Sequence, residues 1–368
     1  MKLKCEKVNL QSAVTVCSRA AAAKSPIPAL EGLLLEAGED LRVTGYDLKK
    51  GIYTNVEAEV TEPGSVVLDA KLFGEMVRRM PDGMVTIDTD KNNMTTIRCG
   101  KTEFSFKGFD SEEYPELPSV DGMKSYVLPQ ATLKSMIGET IFAVSDNDSR
   151  PVYTGSMFEI DGSFVTLISV DGFRLAVRRG ELEGEHPHDE FIVPGAALSD
   201  VERISSGDPD AKIQINVGGN HVSFMIGRTV IVSRRLEGDF LNYRKAIPAE
   251  FKKTVKVSRG ELLRAVDRVA LIVDEKTKNP VRMTFRENFI DCLCMTPIGK
   301  AEDVCFCEGD GGDMEIGFNG KYIIEALKAA PADELLVCLN TNSSPCVFLP
   351  TDGSEDFKYM ILPIRLRA

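Results

Sequence analysis

The chain contains no tryptophan and only three histidines. It also has no apolar run near the roughly 18–20 residues that a membrane-spanning helix needs. Its opening, MKLKCEKVNL, lacks the apolar stretch of a secretory signal, so we expect a cytoplasmic chain with no membrane partner. No Walker-type glycine loop is present, and ATP hydrolysis is not expected. His186 and His188 share the loop EHPH and His221 lies in a hairpin, none beside a Cys or Asp arrangement that reads as a nucleophile triad. We therefore expect no catalysis. The nine cysteines, an odd number without a secretory signal, fit reduced thiols better than a disulfide framework. CLC at 292–294 and CFC at 305–307 place thiols at i and i+2, on one face of a strand, so two paired strands could gather four of them. That spacing is not the CxxC of common zinc sites, and buried cysteine behaves as a small hydrophobe. Core packing is the expectation, with no metal and no cofactor. The net charge of −12 argues against a nucleic-acid partner if it is evenly spread.

What is present is a repeat. At about 100–150 residues per domain, 368 residues suggest two or three domains. Three segments open alike: KLKCEKVNLQSAVTVC from Lys2, YVLPQATLKSMIGETI from Tyr126 and VKVSRGELLRAVDRVA from Val255. Each is an extended run, a cap-like polar residue, then apolar residues at helical spacing. Hairpin patterns follow, with turns expected at Glu39-Asp40 and Asp161-Gly162, then a second strand and helix, then closing hairpins. The period of about 120–130 residues is domain-sized rather than solenoid-sized. We expect an α+β fold of three repeated domains, each an antiparallel sheet with two helices, at 1–123, 124–250 and 251–368, with joins near Met123 and Glu250.

The helices are expected at 10–24, 71–80, 130–142, 196–206, 258–271 and 320–330. Together these stretches carry +5, which leaves −17 on the rest of the chain. Helices and sheet surface are thus oppositely biased. Basic residues on solvated helix faces are also ordinary, so the bias alone names no partner. The chain ends in YMILPIRLRA, apolar where termini usually fray. A last core strand and the wall of a binding groove both fit.

SRPVYTGSMFEI (149–160), SVDGFRLAVRR (169–179), MEIGFNGKYIIEAL (314–327) and YMILPIRL (359–366), with the threefold repeat, resemble the bacterial β sliding clamp family, the processivity subunit of DNA polymerase III. The resemblance spans the whole chain, from SPIPAL at 25–30 to the terminus. It implies a head-to-tail homodimer closing into a ring around duplex DNA, helices lining the hole. A basic lining suits sliding, because phosphate contacts carry no sequence information. The DNA-facing candidates are Lys24, Lys71, Arg78, Arg79, Lys134, Arg150, Arg203, Arg264 and Lys321. Gly195 and Ala196 stand where the family often has a basic pair, so the second domain is expected to contact DNA less.

The resemblance also implies a groove that takes short Gln/Leu/Phe peptides of the replicative polymerase, clamp loader and repair proteins. Its positions here are Tyr153, Val170, Gly172, Phe173, Arg174, Leu175, Leu241, Lys245, Ala246, Asn319, Tyr322, Met360, Ile361, Leu362, Pro363, Ile364, Arg365 and Leu366. Gly172 permits close backbone approach, Pro363 interrupts strand pairing, and Leu, Ile and Met side chains adapt to several ligands. Phe173 replaces a common His or Tyr, and Arg367-Ala368 extend past the usual end. The ring is expected to close through Phe104 and Phe106 against Leu271 and Ile272. A repeat-built peptide scaffold that never encircles DNA is the alternative.

Overall fold

A computed structural model describes residues 1–120, 124–273, 279–354 and 356–366. Met123, Arg367 and Ala368 lie outside the described residues. The first repeat runs β1 (Lys2–Glu6), α1 (Lys7–Cys17), β2 (Gly32–Ala37), β3 (Leu41–Tyr46), β4 (Lys50–Val56), β5 (Ala58–Glu62), β6 (Gly64–Asp69), α2 (Ala70–Arg79), β7 (Met84–Thr89), β8 (Met94–Cys99) and β9 (Thr102–Lys107). The second runs β10 (Lys124–Pro129), α3 (Gln130–Gly138), β11 (Gly155–Val170), β12 (Arg174–Pro194), α4 (Gly195–Ile204), β13 (Lys212–Val217), β14 (His221–Ile226) and β15 (Thr229–Arg234). The third runs β16 (Lys253–Ser258), α5 (Arg259–Ala270), β17 (Val281–Thr296), β18 (Gly299–Phe318), α6 (Gly320–Ala329), β19 (Glu334–Leu339), β20 (Cys346–Pro350) and β21 (Phe357–Ile361). Each repeat therefore has two long helices among antiparallel strands.

Compact packing cuts across the repeats and gives two units. One comprises residues 1–131 and 200–235, with a five-stranded sheet β5-β1-β7-β8-β9 and an eight-stranded sheet β10-β13-β14-β15-β4-β3-β2-β6. The other comprises residues 132–199 and 236–368, with the eight-stranded sheet β11-β12-β21-β20-β19-β16-β18-β17. The cause is backbone pairing between successive repeats: β4 bonds β15 in the first unit, and β12 bonds β21 in the second.

Local signals place most helices. Asp69 accepts from the Leu72 N–H at 2.7 Å at the start of α2, and Ser258 and Asn319 do the same for α5 and α6. Such caps contribute about 1 kcal/mol each. The apolar stripes then turn inward, as with Leu262, Ala265, Val266 and Val269 of α5. Three expectations fail, the smallest at α3, which ends at Gly138 instead of reaching 142. Helix α1 stops at Cys17 instead of running to Lys24, and its end abuts Gly45, where any side chain would run into the Cys17 carbonyl. Packing there overrides the helix preference of the following alanines. Asp161-Gly162 is no hairpin turn: it lies inside β11, where Ile160 pairs with Asp189 and Gly162, at φ +59°, with His186. An irregularity bends one long strand where the sequence suggested two.

The four thiols of CLC and CFC sit in the apolar core that joins α5 and α6 to their sheet. Burial pushes Cys292 up to about 12 and Cys305 up to about 11. This is the packing role expected of them.

Candidate functional site

Strand β21 answers the question raised by the apolar terminus. Phe357, Tyr359 and Ile361 join the core beneath α5 and α6. Met360 points to the opposite face and packs with Val170, Leu175 and Val177. The strand is core on one side and the floor of an apolar cluster on the other, so Ile361 lies with Tyr322 on the core side, away from the candidates that gather around Met360. Beyond it the chain leaves the sheet. The Leu362 N–H donates to the Phe173 carbonyl at 2.8 Å and that of Ile364 to the Gly317 carbonyl at 2.7 Å, while Pro363 has no N–H to continue a ladder. Leu362–Ile364 and Leu366 are half-buried and Arg365 is exposed.

One rim is the turn between β11 and β12. Asp171 Oδ1 accepts from the Phe173 and Arg174 N–H groups at 2.8 and 3.0 Å, and Gly172 takes φ +94°. Arg174, only 7% exposed, donates through Nε to Asp171 Oδ2 at 2.9 Å and through Nη1 to Glu325, with its guanidinium 4.3 Å from the Tyr322 ring centre. Its charge is therefore spent within the fold, where it fixes the turn. Phe173 is left 60% exposed, its ring 6.5 Å from that of Tyr322. Asn319 caps the helix that carries Tyr322.

The other wall is a helical turn, Tyr243–Ala246, with exposed Lys245. Asn242 caps it by accepting from the Lys245 N–H at 3.2 Å. The Tyr243 hydroxyl donates to buried Glu159 at 2.7 Å, and Arg244 pairs with the other carboxylate oxygen at 2.8 Å. Burial pushes the Glu159 carboxyl up, but the bonds from Arg244 and Tyr243 together outweigh it and hold the group below its ordinary value. This anchor holds Leu241 and Ala246 over the floor. Tyr153, Val170, Leu175, Leu241, Ala246, Met360 and Leu362 thus share one apolar cluster. Sequence reasoning missed Glu159 and Tyr243. Alternation in SMFEI could have put Glu159 on the same face as Met157, a further member of that cluster.

Of the basic candidates, Lys134 is half-buried and the other eight are exposed. Lys24 sits in the loop after α1. Glu75 pairs with Arg78 at 2.6 Å and Arg79 at 3.0 Å on its own helix, and Lys321 lies 3.9 Å from Glu325. Exposed pairs of this kind are weak. Gly195 has a structural reason: a side chain would crowd Val144 and the Thr154 carbonyl. Phe104 and Phe106 are half-buried on β9, at the edge of the five-stranded sheet. Leu271 is 81% exposed beyond α5 and Ile272 is half-buried. Among the described residues, no helix is long and apolar enough to cross a membrane.

Comparisons with known proteins cover the whole chain. Family models described as the DNA polymerase III beta subunit match residues 1–118 (N-terminal domain), 127–242 (central domain) and 244–365 (C-terminal domain). A beta sliding clamp of Synechocystis sp. is 32% identical, covering 100% of both chains, and one of Staphylococcus epidermidis is 32% identical over 94% of each. Among solved structures, a putative DNA polymerase III beta subunit from Eubacterium rectale superposes with TM-score 0.95 at 32% identity, covering 100% of both chains. The DNA polymerase sliding clamp of Bacillus subtilis gives 0.95 at 28%, also over 100% of both. The chain belongs to the DNA polymerase III beta subunit family, the beta sliding clamps.

Proposed function

We propose that two copies of this sliding clamp close head to tail into a ring around duplex DNA, and that the ring tethers the replicative polymerase, clamp loader and repair proteins to the template. Domain joins fall near Met123 and Glu250 in each copy. Phe104 and Phe106 of one copy meet Leu271 and Ile272 of the other. The clamp is non-catalytic, acts in the cytoplasm, and is loaded by a separate ATPase. Lys24, Lys71, Arg78, Arg79, Lys134, Arg150, Arg203, Arg264 and Lys321 supply a lining that attracts phosphates without reading bases. The acidic remainder of the chain discourages DNA from binding elsewhere.

The observation that carries the partner-binding half is the double use of β21, with Met360 presented to an apolar cluster that Leu241 and Ala246 border, beside a turn that leaves Phe173 exposed. A peptide with a Gln-x-Leu-x-Phe-like motif is expected to bind there with micromolar affinity, about −8 kcal/mol. A scaffold that never encircles DNA is not favoured by full-length relatives named sliding clamps. The ring is tested by loading the protein with a bacterial clamp loader and ATP onto nicked circular plasmid, then linearising. Retention on circles and loss from linear DNA supports encirclement, whereas equal retention on both forms rejects it.

A further inference from the structure

The two junctions between successive repeats are built alike up to one point. Tyr46 pairs with Gly51 across a turn of the same length as that between Val170 and Leu175. Leu34 lies opposite Val67 and Met157 opposite Ile192, and each of those partners bridges to the segment that leads into the next repeat, at Phe109 and at Leu236. Residues 109–117 and 236–244 are therefore matching straps, each laid on one face of its sheet. Tyr114 stands for Leu241 and Leu117 for Arg244, while Glu36, two residues after Leu34, stands for Glu159. The floors differ. Leu175 forms the floor at the second junction, whereas its counterpart at the first is Gly51, and a side chain begun there would meet the strap's own Leu117 at 2.6 Å. At the first junction the apolar floor is already occupied from within.

Beside Leu117 a cavity of about 600 Å³ remains, with Arg42, Thr44, Glu36, Glu112 and Glu116 in its wall. Arg42 and Thr44 share one face of β3 by alternation. Thr44 is only 2% exposed, and its hydroxyl has no hydrogen-bond partner among the described residues. The Tyr114 hydroxyl donates at 3.4 Å to the Thr44 carbonyl, not to that oxygen. Glu36 stands opposite Arg42 in the ladder, but the guanidinium lies over the Tyr53 ring, 3.8 Å from its centre, and the Arg42 Nε is also buried without a partner. Buried polar groups left unpaired are rare and costly, so these two donors call for an acceptor. The carboxylates describe the rest of the ligand. At the second junction Tyr243 and Arg244 of the strap satisfy Glu159. The first strap has Glu116 and Leu117 in those places and adds Glu112, so Glu36 shares its cavity with two more carboxylates instead of receiving a cation.

We infer that this cavity is a second ligand site, apart from the groove, and that it takes an extended basic stretch of a partner polypeptide. A backbone carbonyl of the ligand accepts from Arg42 and Thr44, and a lysine or arginine beside it reaches Glu36, Glu112 and Glu116. A phosphate or a nucleic acid would meet Arg42 but also three carboxylates, and is repelled. An uncharged apolar motif such as Gln-x-Leu-x-Phe leaves the carboxylates unanswered and finds its floor held by Leu117. What fits is a carbonyl with positive charge close by, and a polypeptide supplies both at every basic residue. The volume lies in the ordinary range of ligand cavities. Neither the ring nor the groove is needed for this site.

The test titrates a blocked tetrapeptide, N-acetyl-Lys-Gly-Lys-Gly-amide, into the full chain by calorimetry, with 1,4-diaminobutane as a control of equal charge that has no carbonyl. The peptide is expected to bind saturably with Kd below about 1 mM, at least tenfold tighter than the diamine. Arg42→Met gives the deciding sign. It makes an acidic chain more acidic, so binding by charge alone tightens, whereas loss of the carbonyl's donor weakens the peptide at least fivefold. Thr44→Val keeps the shape and is expected to weaken the peptide at least threefold while the melting temperature holds or rises, since an unpaired hydroxyl is gone. A lower melting temperature with full affinity would remove Thr44 from the site. Glu112→Gln with Glu116→Gln is expected to weaken the peptide at least fivefold. Repeating the titration with the Gln-x-Leu-x-Phe peptide present should leave the affinity unchanged, and competition between the two would overturn the separation from the groove. No saturable binding of the tetrapeptide, equal binding of the diamine, or tighter binding by Arg42→Met each overturns the site itself.

Discussion

Arg174 and Phe173 are neighbours with opposite duties. Arg174 is nearly buried between Asp171 and Glu325, so Arg174→Met strands two carboxylates and is expected to cost about 1–3 kcal/mol, read as a lowered melting temperature. Phe173→Ala removes an exposed ring, and should leave the melting temperature unchanged while weakening the Gln-x-Leu-x-Phe peptide at least fivefold in calorimetry. If the two variants lose affinity and stability in parallel, that division of labour is wrong. DGFRL pointed to this turn, but Glu325 is 151 residues from Arg174, a pairing that no local pattern reveals. Glu159 gives the pH prediction. Its carboxyl is held below the ordinary value in the folded chain, so the stability it contributes is present above the unfolded group's pKa of about 4.3. That stability is lost as pH falls through the lower folded value. Glu159→Gln should narrow the stability difference between pH 7 and pH 3 in denaturant titrations, and an unchanged difference would count against the anchor.

At the scale of elements, the terminal segment divides at Ile361. Deletion from Met360 onward would remove core as well as floor, and lost binding could then mean only lost folding. Stopping the chain after Ile361 keeps β21 and removes Leu362–Leu366, the part tied to Phe173 and Gly317. The shortened protein should keep its thermal transition within a few degrees and lose at least tenfold in peptide affinity. Full affinity would move the binding site elsewhere. Sequence periodicity found all six long helices because their buried stripes are local. It overran α1 and α3, which end at Cys17 and Gly138, and it split β11, since an αL glycine marks a turn and a bulge equally well. The wall at Tyr243–Ala246 was legible only as positions implied by resemblance, because a single turn of helix has no period to detect.

For the whole molecule, charge segregation was legible from the sequence, and its use now has a measurable form. Replacing Lys71, Arg78 and Arg79 with Gln should lower the salt slope of initial DNA association by up to about 3, since each phosphate contact contributes about 0.9. The half-life on closed circles at moderate salt should hardly change, because a threaded ring is held by topology. A half-life that falls in step with association would mark an ordinary binder. The threefold repeat was equally legible, but its packing was not, because the ladders that join β4 to β15 and β12 to β21 link residues far apart in sequence. Those ladders mean that the repeats are not interchangeable parts. A chimera in which one repeat comes from a distant relative inherits half of a shared sheet from each parent, so the natural unit of exchange is the ladder and both of its strands.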